Sequence, residues 1–124
     1  MATTSVLIVD DEPHIVTALR FLVEQKGYQT YTAYNGLDGL ALAKAHRPSV
    51  VILDVMMPGM DGYEVARAIR SESDLENTTI VFLSAKGAEK DKVQGYLNGG
   101  EIYLTKPFDN DEVINVISEV FEFG

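Results

Sequence analysis

The chain has 124 residues, of which 46% are hydrophobic, and a formal net charge of −9 from 19 acidic and 10 basic residues. A chain of this length is the size of one domain and buries roughly two-thirds of its unfolded surface. The acidic excess argues against a general affinity for nucleic acids or anionic membranes. The absence of cysteine excludes disulfides, and no stretch approaches the roughly 20 apolar residues of a membrane span.

The first half of the chain alternates strand and helix patterns. Val6–Asp10 is an apolar run that ends in an acid and predicts a first strand. A helix is predicted between Pro13, which suits a first helical turn, and Gly27, which suits a helix end. Its apolar positions recur at helical spacing and are Ile15, Val16, Leu19, Leu22 and Val23. Tyr28–Ala33 alternates in polarity, which predicts a second strand.

The second half continues the alternation. A second helix over residues 36–46 is predicted to bury the face formed by Leu37, Leu40, Ala41 and Ala45. Strands are predicted at Val50–Asp54, Thr79–Ser84 and Glu101–Thr105, and helices at Gly62–Arg70 and Glu89–Leu97. A fifth helix is marked by Val113, Val116, Ile117, Val120 and Phe121.

Five strands that alternate with five helices predict an α/β fold. The apolar runs of the first, third and fourth strands are typical of strands buried on both faces of a parallel sheet. Right-handed crossovers then give an open, doubly wound five-stranded sheet with helices on both sides. No linker or composition shift divides the chain, so residues 1–124 are expected to form a single domain.

Polar residues stand where the predicted strands end. The first strand leads into Asp10, Asp11 and Glu12, the third ends at Asp54, the fourth at Ser84, and the fifth leads into Lys106. The carboxyl ends of parallel strands meet at one edge of the sheet, where such folds bind ligands. Carboxylates about 4 Å apart repel by on the order of 4 kcal/mol at an effective dielectric near 20, so a compensating cation is expected. Oxygen ligands without His or Cys indicate Mg2+.

A carboxylate beside a metal ion, a hydroxyl and an ammonium group is a plausible acceptor for a phosphoryl group. The sequence also carries the segments "VLIVDDEP", "VILDVMMPGMDG", "IVFLSA" and "YLTKPF", in this order and at fitting spacing. With these segments the whole chain resembles the receiver domains of response regulators in two-component signalling, and is similar to the single-domain chemotaxis regulators. The resemblance implies a flavodoxin-like fold with strand order 2-1-3-4-5.

The resemblance also implies roles for individual residues. Asp54 matches the phosphoacceptor, Lys106 the lysine that contacts the phosphoryl group, and Ser84 the hydroxyl that bonds to it. Tyr103 matches an aromatic switch residue that responds together with Ser84. The implied Mg2+ ligands are Asp11, Asp54, the backbone carbonyl of Met56 and, through water, Asp10. A cis bond before Pro107 is common in this family, and an X-Pro bond permits it.

The implied function is signalling by phosphorylation rather than enzymatic turnover. The domain would take a phosphoryl group from a sensor histidine kinase or phosphotransfer protein, assisting its own phosphorylation and dephosphorylation. It would signal to a protein target through the face of the fourth helix, fifth strand and fifth helix. We expect a cytoplasmic monomer or weak dimer, without an attached effector domain, that contacts neither nucleic acid nor membrane.

Two other classes share parts of the pattern. A haloacid-dehalogenase-like phosphohydrolase also uses a strand-end aspartate with Mg2+, but it normally has a second acid two residues later, where this chain has Met56. A flavodoxin-like electron carrier shares the fold, but it needs a phosphate-binding loop after the first strand. Here that loop is acidic, and a dinucleotide-binding G-x-G-x-x-G motif is also missing there.

Overall fold

Five parallel strands form one sheet in the computed structural model, which describes residues 5–85 and 102–123. The strand order is β2-β1-β3-β4-β5, which confirms the predicted doubly wound topology. The strands are β1 (Ser5–Val9), β2 (Gln29–Ala33), β3 (Val50–Asp54), β4 (Thr79–Ala85) and β5 (Ile102–Lys106). Most of their ends lie within one residue of the predicted ones, so the apolar runs located the strands well.

The described helices are α1 (Pro13–Gln25), α2 (Gly36–His46), α3 (Gly62–Arg70) and α4 (Asn110–Phe123), with a short 3-10 turn at Ser73–Leu75. Helix α4 is the fifth predicted helix, because the fourth prediction, Glu89–Leu97, lies outside the described residues. Pro13 begins α1, and Gly27 follows its end with a φ of +87°. Asp61 caps α3 in a capping box with Glu64, which fixes where that helix starts.

The sheet separates two apolar layers. One face of β1, β3 and β4 carries Leu7, Leu53 and Phe82 and is covered by α2 and α3. The opposite face, with residues such as Ile8 and Ile52, is covered by α1 and α4. All five residues of β1 and of β3 are buried, as the sequence predicts for strands covered on both sides.

Helix α2 corrects one prediction. Its buried residues are Gly36, Gly39 and Ala43, whereas Leu37 is 71% exposed and Ala41 and Ala45 are also exposed. A Cβ on Gly39 would lie 2.8 Å from a methyl carbon of Val9, and one on Gly36 would lie 2.6 Å from the Met60 carbonyl oxygen. Leu40 is partly buried and packs on the core, so the predicted face is right for Leu40 and wrong for the other three residues. The helix lies close to β1 because its glycines have no Cβ on the side that faces the sheet.

The edge of the sheet where the strands begin is remote from the acids. Backbone hydrogen bonds join Ser49 to Ser5 and Thr79 to Ser49 along this edge. Phe121, near the end of α4, packs on Tyr28 with a ring-centroid distance of 4.3 Å and lines a cavity of about 300 Å³ at the same edge. Both ends of the described chain thus lie at the amino edge. Within the described ranges, the helices are too short or too polar to cross a bilayer.

Candidate functional site

Four strands deliver polar side chains to the carboxyl edge of the sheet. Asp10 follows β1, Asp54 ends β3, Ser84 is the penultimate residue of β4, and Lys106 ends β5. The parallel register places Asp54 beside Leu83 and Ala85 beside Lys106, so the last residues of neighbouring strands lie side by side. The sequence prediction that these residues meet at one edge is therefore confirmed in position.

The acidic residues form a compact cluster. Asp10, Asp11, Glu12 and Asp54 each offer one carboxylate oxygen, and these oxygens lie within 4.8 Å of one another. Asp10 is completely buried and Asp54 is 4% exposed, whereas Asp11 reaches solvent. The backbone N–H of Glu12 donates to Asp10 Oδ1 at 2.9 Å, which fixes the turn that carries these acids. The cluster thus has a buried floor and an open side.

Lys106 is the cation of the cluster. Its Nζ lies 3.0 Å from Asp10 Oδ2, 3.0 Å from Glu12 Oε1 and 3.3 Å from Asp54 Oδ1. The side chain is only 19% exposed, so these contacts are screened less than surface ion pairs. One ammonium group cannot neutralise four carboxylates, and the cluster stays strongly negative.

The electrostatic environment changes how Asp54 titrates. Burial, reinforced by the negative charge of Asp10, raises the pKa of Asp54 to about 7, although Lys106 opposes this change. Burial alone would lower the pKa of Lys106, but its contacts with Asp10 and Glu12 raise it above the usual range. The hydrogen bond from Lys106 lowers the pKa of Glu12. The ammonium group therefore stays charged, while Asp54 needs further positive charge to stay ionised at neutral pH.

The donor set fits a hard divalent cation. All four clustered ligands are carboxylates, and buried Asp10 Oδ2 has an ion pair but makes no hydrogen bond. Oxygen-only sites of this kind suit Mg2+ and not zinc. The side chain of Met56 is 74% exposed, so of this residue only the backbone remains as a ligand candidate.

Ser84 and Tyr103 occupy neighbouring strands beside the acids. Ser84 is 3% exposed and follows Leu83, whose carbonyl accepts a hydrogen bond from the N–H of Val55 at 3.0 Å. Tyr103 is half-buried on β5 and packs on Phe82, the β4 residue paired with it. The bond between Lys106 and Pro107 is cis, as the family resemblance implies.

Two contacts that the sequence does not predict join the site. Glu12 lies at the predicted edge with Asp10 and Asp11, but its contact with Lys106 joins residues 94 positions apart in sequence. Tyr63, in the first turn of α3, has its hydroxyl 2.6 Å from that of Tyr103. No local pattern signals this contact, because it depends on how α3 and β5 pack together.

Comparisons with known proteins agree with the family resemblance seen in the sequence. The family model of the response regulator receiver domain matches residues 6–118. Protein PilH of Pseudomonas aeruginosa is 36% identical over 115 residues, which cover 93% of this chain and 95% of PilH. The crystallised chemotaxis protein CheY4 of Vibrio cholerae is 33% identical with a TM-score of 0.90, covering 96% of this chain and 99% of that one.

A further similar structure comes from a sensor histidine kinase of Pseudomonas aeruginosa. Its receiver domain is 25% identical, has a TM-score of 0.85, and covers 95% of this chain and 97% of its own. That domain has a magnesium ion coordinated in its active-site cleft.

Proposed function

The chain belongs to the response regulator receiver domains of two-component signalling, and we propose that Asp54 accepts a phosphoryl group from a phosphohistidine donor in a Mg2+-dependent reaction. The observation that carries this proposal is the buried Asp54 carboxylate, 3.3 Å from Lys106 within a cluster of three other acids. Lys106, together with a cation held by the acids, would balance the charge of an incoming phosphoryl group at this position.

The transfer needs no other co-reactant. An oxygen of ionised Asp54 attacks phosphorus, the bond from phosphorus to the donor imidazole nitrogen breaks, and the imidazole keeps the electron pair of that bond. Lys106 moves from its carboxylate partners to donate a hydrogen bond to a phosphoryl oxygen. The Ser84 hydroxyl donates to another, and Tyr103 then turns toward the space that Ser84 leaves at the end of β4.

The cation would be held by the acid cluster. Asp11 and Asp54 would be direct ligands, with the Met56 backbone carbonyl as a third and Asp10 acting through water. When bound, Mg2+ supplies charge that keeps Asp54 ionised and offsets the phosphoryl oxygens. The magnesium site of the similar histidine-kinase receiver domain supports this choice of metal.

The partners follow from this chemistry. The donor is a sensor histidine kinase or a phosphotransfer protein, and the acceptor of the signal is a cytoplasmic protein that reads a changed surface including β5 and α4. The domain is not an enzyme acting on a free substrate, although its own residues assist phosphorylation and dephosphorylation of Asp54. The phosphohydrolase alternative is disfavoured because its second acid would stand at Met56, whose side chain is exposed. The acidic loop at Asp11 and Glu12 likewise disfavours a flavin phosphate.

Incubation with acetyl phosphate and Mg2+ tests the acceptor. We expect intact-mass spectrometry to show one added phosphoryl group on the wild-type chain and none on Asp54→Asn. The matched control is Asp61→Asn, which changes a nearby acid in the same loop and should remain phosphorylated. Phosphorylation of Asp54→Asn at the wild-type level would contradict the proposal.

Asp11→Ala tests the metal assignment. Mg2+ raises the melting temperature of the wild-type chain because it binds the folded acids, and we expect this increase to be largely lost in Asp11→Ala. The fold should survive, since removing one carboxylate relieves repulsion. Asp74→Ala, at an exposed acid on the amino edge, is the control and should keep the response. An undiminished Mg2+ effect in Asp11→Ala would show that the ligand is misassigned.

A further inference from the structure

A pair of tyrosines joins α3 to β5 beside the candidate site. The hydroxyl oxygens of Tyr63 and Tyr103 lie 2.6 Å apart, and either hydroxyl can be the donor. Both rings also pack on fully buried Phe82, with centroid distances of 5.1 Å from Tyr63 and 5.4 Å from Tyr103. The ring of Tyr103 is therefore held by an apolar contact with β4 and by a hydrogen bond to α3.

The same turn of α3 packs directly on the phosphoacceptor strand. The N–H of Gly62 donates to the carbonyl of Val55 at 3.0 Å. A Cβ on Gly62 would collide with the carbonyl oxygen of Asp54, so this turn is as close to the strand as a backbone can come. The capping box of Asp61 and Glu64 fixes the start of the helix. The first turn of α3 thus contacts the backbone of Asp54 and, through Tyr63, the ring of Tyr103.

We propose that Tyr63 is a positioning residue that holds Tyr103 in the conformation seen here and makes α3 part of the signalling change. The proposal rests on the proposed function, in which Tyr103 turns toward β4 after Asp54 is phosphorylated. In this proposal, that rotation carries the Tyr103 hydroxyl away from Tyr63 and breaks their hydrogen bond. The bond consequently opposes activation, and its loss alters the surface at the start of α3.

The size of the effect follows from the strength of one hydrogen bond. A half-buried hydroxyl pair of this kind biases a two-state equilibrium by roughly 2- to 10-fold. A ligand that binds better to the second state binds more tightly when the first state becomes less stable. Weakening the tyrosine pair should therefore tighten the binding of any phosphoryl mimic at Asp54, although Tyr63 does not touch that site.

The test replaces Tyr63 by Phe in the full chain, which keeps the ring and removes only the hydroxyl. The probe is beryllofluoride with Mg2+, titrated by NMR. We expect Tyr63→Phe to bind beryllofluoride roughly 2- to 10-fold more tightly than wild type. Three-bond couplings should also show a second side-chain rotamer of Tyr103 without beryllofluoride. Tyr31→Phe is the matched control: it removes a half-buried hydroxyl in the same apolar layer, where the ring stacks on His46, and it should change neither quantity.

A double-mutant cycle separates this bond from other effects of the two hydroxyls. If the bond is the cause, Tyr103→Phe tightens beryllofluoride binding as Tyr63→Phe does. The variant with both substitutions should then gain little beyond either single change. Additive gains would show that the two hydroxyls act independently, which would overturn the proposal.

Other outcomes are equally decisive. The positioning role would also be overturned if Tyr63→Phe bound beryllofluoride with wild-type affinity and kept the Tyr103 rotamer unchanged, or if it bound beryllofluoride more weakly. Either result would leave the proposal that Asp54 is phosphorylated unaffected. A wild-type chain that fails to bind beryllofluoride with Mg2+ would instead refute the proposed function. The rotamer population of Tyr103 in Tyr63→Phe, measured without beryllofluoride, would still decide whether the hydroxyl positions that ring.

Discussion

Lys106 forms ion pairs with three carboxylates at once, so only part of its positive charge is available to stabilise ionised Asp54. The ammonium group is slightly nearer to Asp10 and Glu12 than to Asp54. Burial and the negative charge of Asp10 raise the pKa of Asp54 to about 7, because the shared Lys106 opposes them only in part. A bound cation would complete the neutralisation, so the proposed nucleophile would be ionised more readily when the cation is present.

This arrangement predicts a pH dependence of stability in the metal-free chain. The pKa of Asp54 is near 3.8 when unfolded and about 7 when folded, so the folded chain binds this proton more tightly. The resulting stabilisation is complete below about pH 4 and is lost as pH rises through about 7. Relative to Asp54→Asn, we expect the wild-type free energy of unfolding to fall by on the order of 2 to 4 kcal/mol between pH 4 and pH 8.

Urea unfolding in a chelating buffer measures this difference. Comparing the two chains at each pH cancels the titration of groups remote from Asp54 and isolates Asp54 with the groups that it contacts. Glu24→Gln, at an exposed acid of α1, is the control and should stay parallel to wild type. A difference between wild type and Asp54→Asn that does not vary with pH would contradict the raised pKa.

At the scale of elements, α2 shows how closely a helix can pack on a strand where the contact is made by glycine. Gly39 should resist substitution even though alanine favours helices by about 1 kcal/mol. A methyl group there meets the side chain of Val9, and overpacking of this kind costs about 1 to 3 kcal/mol. We therefore expect Gly39→Ala to lower the free energy of unfolding, as measured by urea denaturation.

Ala41→Gly, on the exposed face of the same helix, provides the comparison. It should lower stability by about 1 kcal/mol, because only helix propensity changes. Each substitution thus destabilises, although the two exchange the same residues in opposite directions. If the Gly39→Ala chain were more stable than wild type, α2 could move away from β1 without lowering the free energy of unfolding.

The elements that the sequence predicted well are those with strong local signals. Four or more consecutive apolar residues located β1, β3 and β4, and the helix predicted over Gly62–Arg70 coincides with α3. The inner face of α2 was missed because glycines carry no hydrophobic signal. The contacts of Glu12 with Lys106 and of Tyr63 with Tyr103 were missed because they join distant parts of the chain, and only packing brings them together.

At the scale of the whole molecule, the charge of −9 disfavours contact with the phosphates of nucleic acids. We expect no DNA binding by the isolated chain in gel-shift assays at micromolar concentrations, even at low salt, where phosphate contacts are strongest. A response regulator whose DNA-binding domain has a basic surface is the positive control. A clear shift by this chain alone would contradict the expectation that it acts through protein contacts.

The position of the chain ends has a practical consequence for building biosensors. Ser5 begins at the amino edge and Phe121 returns to it, so the acid cluster lies at the opposite edge of the sheet. Fluorescent proteins fused at either end of this chain would leave Asp54, the proposed phosphoacceptor, accessible to its donor. Because both ends lie at the edge opposite Asp54, we expect their separation to change little on phosphorylation, and energy transfer between fused ends would then report poorly. A dye on the first turn of α3 would be the better optical reporter of the switch.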